Sequence, residues 1–532
     1  VAGLGLINES VKRWVLGWLS IEPTLNTSQQ FTINKTDTFR VQALKNTMWY
    51  RGQANELHQF YGQYNGGYTA NSLFWKQKST IGIDFRKIHT GLPALMIDKL
   101  VDIAVNDMSV ISITVPNVVT KLGEPVMNPE AMNRWEAIAE EHDFKEKVVK
   151  QAVREMLLGD ATFKISGDSK LSDYPIIEVI QARDVDYEYE RGRLVAVKFF
   201  SNRKIDKKHY VLVERYDIDG ITYELYDRNG NPKGTPAFIR DMFGLEAVQF
   251  ADKDSRLLMA IPMMLRESKV FPGRGKSIFD DKEGAFDSYD EAWSQWMDAI
   301  RAGRTTTYIP EALLPRDPNT GVVLKPNALD NQYIRTDNNL GENANNEIKV
   351  ATPEIRSEQY LSAYISALDL SLQSVISPST LGIDVKKLDN AEAQREKEKT
   401  TLYTRDAIVG VLEKTIPKLV ETVLIVDDIA HGRPAGLYEV SVEFTDYANP
   451  SFEAQVETVG KAYTDGVMSI EQSVEQLYGD TKTPEEKALE VTRLKTEKGF
   501  IAEPSVASFD DPPLEDEGDN INDPPAEPEV VA

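Results

Sequence analysis

Hydrophobic positions along the chain change period several times, and those changes divide it into tracts. Residues 92–105 carry Leu92, Leu95, Met96, Leu100, Ile103 and Ala104 at helical spacing behind a Gly91-Leu92-Pro93 entry, which predicts an amphipathic helix. A second long helical tract is predicted over 128–159, with Trp135, Ile138, Phe144, Val148, Val149, Val153 and Met156 as buried positions. The period then falls to two. Segments 162–166, 176–181, 194–201, 209–216 and 221–227 are rich in β-branched and aromatic residues, with Asp219-Gly220 and Asn229-Gly230 as hairpin punctuation. They predict an antiparallel β patch in a mostly helical chain, and hence an α+β fold.

Helical spacing returns at 283–303, where Phe286, Tyr289, Trp293, Trp296, Met297 and Ile300 recur at three and four. Such a helix of about twenty residues is roughly 30 Å long. Between 304 and 353 the pattern is lost. Pro310, Pro315, Pro318 and Pro326, the Asn319-Thr320-Gly321 turn and the polar run 338–346 mark a compact insertion, with short strands expected at 306–309 and 322–324. Ile355, Leu361, Tyr364, Ile365, Leu368, Leu372 and Val375 restore the helical stripe over 354–376. The two stripes read as an antiparallel helical pair carrying a small domain at its tip. A loop at 377–390 contains Pro378 and Gly382, and a long helix is expected over 391–429 with Asn390 as its N-cap. Pro417 lies inside that helix, where it removes a backbone bond and costs about 3 kcal/mol, so a kink is expected near 415–417. Gly432 and Pro434 end it, 437–444 alternates like a strand, and three short helices are expected at 452–464, 469–478 and 484–497.

Both termini differ from this pattern. Residues 1–20 are apolar in places but interrupted by Glu9, Lys12 and Arg13, which fits a packing helix or an interfacial anchor better than a signal peptide. The chain opens on Val1, so a processed or trimmed start is expected. Aromatic residues Trp49, Tyr50, Phe60, Tyr61, Tyr64 and Tyr68 crowd the next stretch. At the other end, no Lys or Arg follows Lys498, and 501–532 is acidic and proline-rich, a composition expected to stay disordered.

Composition removes several classes of chemistry. The 532 residues suffice for two to four domains. There is no cysteine, so disulfides, thiolate metal sites and cysteine nucleophiles are excluded. The five histidines, His58, His89, His142, His209 and His431, show no metal-ligand spacing and read as surface or satisfied core residues. The net charge of −24 argues against a protein that grips nucleic acid by neutralising phosphates, but not against one past which DNA must slide. Gly273-Arg274-Gly275-Lys276-Ser277 imitates the end of a phosphate-binding loop, yet Val270 stands where that pattern needs a glycine. A glycine turn into the next helix explains it equally well. Asp280-Asp281, Asp427-Asp428 and Glu140-Glu141 could hold a divalent metal or act as acid and base, although adjacent helical residues point apart. The Tyr289, Trp293 and Trp296 stripe could stack bases, but such spacing is more often core or subunit contact. Lys386-Lys387 is a small basic pair in the loop before the long helix. No enzymatic site emerges: no catalytic residue, cofactor or metal is expected.

One ordered set of features carries a resemblance. It runs from Arg86-Lys87-Ile88-His89-Thr90-Gly91-Leu92-Pro93 to Gly275-Lys276-Ser277-Ile278-Phe279-Asp280, which leads into Ala285-Phe286-Asp287-Ser288-Tyr289. Ser377-Pro378-Ser379-Thr380-Leu381-Gly382-Ile383-Asp384 and Asp389-Asn390-Ala391-Glu392-Ala393-Gln394 follow, then Asp465-Gly466-Val467-Met468-Ser469 and Leu477-Tyr478-Gly479-Asp480. Together these resemble the portal proteins of long-tailed, siphovirus-like bacteriophages. The resemblance implies a mostly helical portal fold: a wing over 1–282, stem helices at 283–303 and 354–376 around a clip at 304–353, and a tunnel loop at 377–390. It further implies a long kinked helix and wing strand over 391–450, a crown at 451–500 and the acidic tail beyond.

The family's function is a ring, usually dodecameric, at one capsid vertex, assembled in the host cytoplasm and retained in the virion. Double-stranded DNA passes through it during packaging and ejection. Its partners are the terminase large subunit, which hydrolyses ATP, the head-tail adaptor, and the major capsid and scaffold proteins. The resemblance places Ser379, Thr380, Asp384, Lys386 and Lys387 on the channel loop. Tyr289, Trp293, Trp296, Leu361, Tyr364 and Leu368 fall on the stem helices, and Pro417 at the helix kink. Competing readings are a head-tail adaptor, a scaffold-type structural protein, and a packaging ATPase or nuclease. Scaffolds are dominated by long charged helices, and the enzymes would need a complete phosphate loop and clustered carboxylates.

Overall fold

The computed structural model describes residues 21–23, 31–33, 38–63, 74–77, 85–119, 125–205, 208–227, 229–249, 257–303, 306–310, 316–322, 333–336, 348–351, 354–383, 391–445, 452–478 and 484–497. The expected helix at 1–20, the N-cap Asn390, Tyr64, Tyr68, the acidic tail and most of the 304–353 insertion lie outside these residues. The chain divides into two compact units, 1–447 and 448–532.

The first unit is α+β. A short ribbon of β1 (Ile21–Pro23) and β2 (Phe31–Ile33) precedes α1 (Phe39–Arg51), α2 (Ala54–Gln63) and α3 (Leu92–Asn106). Thr38 caps α1 by accepting from the Val41 amide, and Gly52 closes it in the left-handed region at φ 64°. That glycine has a second constraint, since a Cβ there would collide with the His89 ring.

Strands β3 (Met108–Val119) and β4 (Pro125–Met127) lead into α4 (Pro129–His142), capped by Asn128 and preceding a π-helical stretch at Phe144–Val149 and α5 (Lys150–Leu158). The single helix expected over 128–159 is therefore two helices. Asp143, at φ 49°, turns the chain out of α4, and the wider π winding rejoins it to α5. Apolar spacing survives this break, because Trp135, Ile138, Phe144 and Val149 all reach the core.

Next come β5 (Asp160–Ser166), β6 (Ile176–Gln181), β7 (Val185–Glu190), β8 (Arg193–Ile205), β9 (Lys208–Asp217), β10 (Gly220–Asp227), α6 (Pro236–Phe243), β11 (Val248–Gln249) and β12 (Ala260–Met264). They form two antiparallel sheets, ordered β11-β10-β9-β8-β7 and β12-β5-β6. The five expected strands are present at nearly their expected bounds. Strands β1 to β4, β7, β11 and β12 were not anticipated.

Helix α7 (Glu283–Ala302) enters a small sheet of β13 (Thr306–Pro310), β14 (Tyr333–Thr336) and β15 (Lys349–Ala351), in which β13 runs parallel to β14 and antiparallel to β15. The expected strand at 322–324 is not formed at Val322, and 323–324 lie outside the described residues. Helix α8 (Ser357–Leu372) returns, and α9 (Ala391–Ala430) spans 40 residues. Pro417 sits within α9 without ending it.

Packing explains why the helix survives its proline. Ile408, Leu412, Ile416, Leu419, Val420, Val423 and Leu424 recur on one stripe and are fully buried. Burying seven such side chains is worth on the order of 10–20 kcal/mol gross, against about 3 kcal/mol for the proline. Strand β16 (Glu439–Phe444) pairs with β3, completing the sheet β16-β3-β4.

The second unit contains α10 (Phe452–Thr464), α11 (Ile470–Tyr478) and α12 (Pro484–Glu497), within a residue of the three helices expected. Lys487 and Lys495 of α12 pair with Glu475 and Glu471 of α11.

Candidate functional site

The helical pair organises the centre of the first unit, and each face of α7 has a separate task. Glu283, Asp287, Asp290 and Ser294 follow one another at four, three and four, so they share one face. All four engage the segment from α1 to Thr90. Glu283 accepts from Lys45 Nζ and the Tyr61 hydroxyl, both at 2.6 Å. Asp287 accepts the Phe74 and Trp75 amides at 2.7 and 3.2 Å. Asp290 lies 2.7 Å from His89 Nδ1 and also accepts from Trp75 Nε1, the Thr90 amide and the Thr90 hydroxyl. Ser294 accepts the Ile88 amide at 2.9 Å.

Electrostatics follow from burial. Asp287 is 4% exposed. Its pKa rises from 3.8 to about 6 because loss of solvation outweighs the two amide donors, with Glu291 and Asp290 adding repulsion. Burial, reinforced by Glu283, likewise pushes the Tyr61 hydroxyl well above its usual range. The His89 ring sits near Trp49 and Trp75, at 5.7 and 6.3 Å between centroids, and its Nε2 makes no hydrogen bond with any described residue.

The opposite face of α7 meets α8. Tyr364 packs against Tyr289, Trp293 and Trp296 at centroid distances of 4.7, 5.4 and 6.3 Å, and the Tyr289 and Tyr364 hydroxyls hydrogen-bond. Lys282 Nζ reaches the Leu370 and Gln373 carbonyls, so the start of α7 lies beside the end of α8 and the pair is antiparallel. Tyr289 and Leu368 are buried, Trp293, Trp296 and Tyr364 half-buried, and Leu361 exposed. The stripe is a packing seam: the rings that could have stacked bases pack edge-on and tilted against one another. At the other end of the pair, a cavity of about 520 Å³ is lined by Phe85, Ala299, Gly303, Ile355 and Tyr360.

Beyond α8 the loop is tied back to α9. Ser374 takes a left-handed turn at φ 64°. The Ser377 amide and the Thr380 hydroxyl meet Thr401 Oγ1 at 2.9 and 3.1 Å, and Thr404 Oγ1 donates to the Val375 carbonyl at 2.7 Å. Ser379 is exposed and bonds Ser377 through its hydroxyl. Asp384, Lys386 and Lys387 lie outside the described residues.

The other chemistry-bearing motifs are engaged in holding the fold. Arg274 of the glycine turn is clamped between Phe39 and Tyr187 and bonds both oxygens of Asp160, at 2.9 and 3.0 Å, and the Val185 and Ala182 carbonyls. Asp160 is fully buried and also takes the Gly275 amide. Burial alone would lower the Arg274 pKa, but Asp160 more than compensates and raises it. A Cβ at Gly275 would strike the Gly159 carbonyl, which is why glycine is needed there. Lys276 pairs with Asp281 and Ser277 Oγ donates to the Leu157 carbonyl, so these groups point at protein, not into a phosphate cradle.

Asp427 and Asp428 are similarly committed. Arg134 and Arg433 bridge both, and Tyr438 donates to Asp428 at 2.5 Å. Burial favours the neutral Asp428, yet the bonds from Tyr438, Arg433, Gly436 and Arg134 hold its pKa below the ordinary value. Asp280 accepts from Gln42, Asn46 and the Ser277 amide, while Glu140 and Glu141 are exposed. Among the described residues no group of three or more His, Asp or Glu is arranged to hold a metal ion, and no helix is long and apolar enough to cross a membrane.

Sequence reasoning identified the aromatic seam but missed the polar face of α7 and the Arg274–Asp160 pair. The signal for the first was present in the spacing of Glu283, Asp287, Asp290 and Ser294 opposite the aromatic stripe. The second had none, because Asp160 and Arg274 are joined only by the sheet.

The chain matches no family model and no curated protein. Among solved structures it is similar to a chain from the virion of a native gene transfer agent particle, at 12% identity and a TM-score of 0.33, over 77% of this chain and 91% of that one. A likeness at that score carries no functional argument.

Proposed function

We propose that this chain is the subunit of a bacteriophage portal, a ring at one capsid vertex through which double-stranded DNA enters and leaves. The observation that supports it best is the order of its central elements. An antiparallel helical pair brackets a small three-stranded insertion, then a short loop, then a 40-residue helix. On this reading they are the stem, clip, tunnel loop and long helix, in the order the family resemblance implies. On this reading the insertion meets the terminase large subunit and later the head-tail adaptor, while the wing meets major capsid and scaffold proteins. The chain itself is no enzyme, and ATP hydrolysis belongs to the terminase. Its net charge of −24 suits a channel that must not bind phosphates tightly, since every neutralised phosphate adds salt-dependent affinity.

Negative-stain electron microscopy of the purified protein tests the reading. Rings with a central hole and a rotational symmetry of about twelve are expected. A closed oligomer without a hole refutes it.

A further inference from the structure

We propose that the cavity at the far end of the α7–α8 pair is a docking pocket for an arginine side chain carried by a partner protein. The inference does not rest on ring formation, because a single chain supplies the lining.

The polar face of α7 leads into this cavity. Glu283, Asp287, Asp290 and Ser294 each accept from the segment between Lys45 and Thr90. Asp298 stands four residues after Ser294, hence on the same face, and is half-buried. The segment runs alongside it: Thr90 meets Asp290, Ile88 meets Ser294, and Phe85 reaches the cavity that Asp298 also lines. Asp298 therefore continues the series of acceptors, but it bonds no described residue. Glu354, where the chain approaches α8, lines the same cavity and likewise has no partner among the described residues.

Two carboxylates without donors suit a group that is cationic and donates several hydrogen bonds. A guanidinium offers five N–H donors in a planar fork that matches carboxylates, and its flat faces pack on rings such as those of Phe85 and Tyr360 in the cavity wall. At about 520 Å³ the cavity falls within the roughly 300–1,000 Å³ of ligand sites, which leaves room for that side chain and its flanking main chain. Arg356 narrows the choice. It is exposed at the same cavity and pairs with neither carboxylate, so it repels a free polyamine but can donate to the main-chain carbonyls that flank an arginine. Nucleic-acid phosphates would meet Asp298 and Glu354 as like charges. Arg301, three residues beyond Asp298, does not line the cavity and bonds neither acid, so α7 does not fill the site itself. The net charge of −24 favours the approach of a basic segment.

The test is saturation-transfer NMR on the full chain with four probes: N-acetyl-arginine methylamide, the same molecule with citrulline, free arginine and spermidine. The capped arginine is expected to bind with a Kd on the order of 1 mM. Citrulline keeps the shape without the charge and should bind about tenfold more weakly, and free arginine and spermidine should also bind more weakly. D298N/E354Q should weaken the capped arginine about tenfold. A302F, which sets a ring into the cavity without altering a charge, should abolish its binding while leaving the oligomeric state by sedimentation unchanged. The three positions are exposed or half-buried, and circular dichroism checks that the variants fold. The proposal is overturned by absent saturation of the capped arginine, by equal binding of citrulline, or by unchanged binding in either variant. It is overturned equally by tighter binding of free arginine or spermidine, which would make this a small-molecule site, and by a changed oligomeric state in A302F, which would assign the cavity to a second copy of the chain.

Discussion

Replacing Asp287 by asparagine should change how stability depends on pH, in the direction that the burial of this carboxyl sets. Asp287 holds the Phe74 and Trp75 amides from a nearly dry position on α7, and its pKa stands at about 6 against an ordinary 3.8. A carboxyl whose folded-state pKa is raised contributes stability that is fully present below the unfolded value and is lost as pH rises through the folded one. Between pH 3 and pH 7 that loss is about 3 kcal/mol, from a displacement of about two pH units at roughly 1.4 kcal/mol each. An asparagine amide cannot ionise, so D287N is spared the loss. Measured at each pH as the urea midpoint times its slope, the stability of D287N relative to the parent should rise by about 3 kcal/mol from pH 3 to pH 7. Groups that titrate alike in both proteins cancel from this difference. A flat difference would refute the reasoning. A difference of opposite sign would mean that the two amide bonds hold the carboxylate more strongly than burial opposes it.

Two further perturbations address the buried ion pair and the loop. R274M leaves Asp160 charged in a site with no solvent, and should lower the unfolding free energy by about 3–5 kcal/mol. Adding D160N should recover part of that, as read from denaturant midpoints. On the portal reading, K386A/K387A should alter DNA packaging or retention in assembled particles; normal packaging and retention would remove the pair from the channel.

How far the sequence could be read depended on whether a feature announces itself within one element. The period-two segments became β5, β6, β8, β9 and β10, because alternation and Asp-Gly or Asn-Gly turns act locally. The stripes flanking the insertion became α7 and α8 for the same reason. The break at Asp143 was hidden because the π winding takes up the slip and returns Phe144, Val148 and Val149 to the core, so apolar spacing never falters. Strand β3 was hidden by Pro116 and by Asn117, whose φ of 61° interrupts an otherwise extended run. Strand β5 carries Asp160, Thr162 and Lys164 into the interior, a pattern that reads as solvent-facing until their partners Arg274, Tyr187 and Glu214 are in place.

The two-sided commitment of α7 bears on how the helical pair can move. On one face, Glu283, Asp287, Asp290 and Ser294 bond residues between Lys45 and Thr90; on the other, Tyr289, Trp293 and Trp296 interlock with Tyr364. Sliding α7 by one helical turn against the 74–90 segment would strip acceptors from the Phe74, Trp75 and Thr90 amides together. Each buried donor left unpaired costs about 1–3 kcal/mol, so such a slide costs several kcal/mol before the aromatic seam is counted. A rigid-body tilt that carries α7, α8 and the 74–90 segment as one piece breaks none of these bonds. The far end of the pair lacks this anchoring: Gly303 abuts Ile355 beside the cavity and, among the described residues, no buried carboxylate spans the gap.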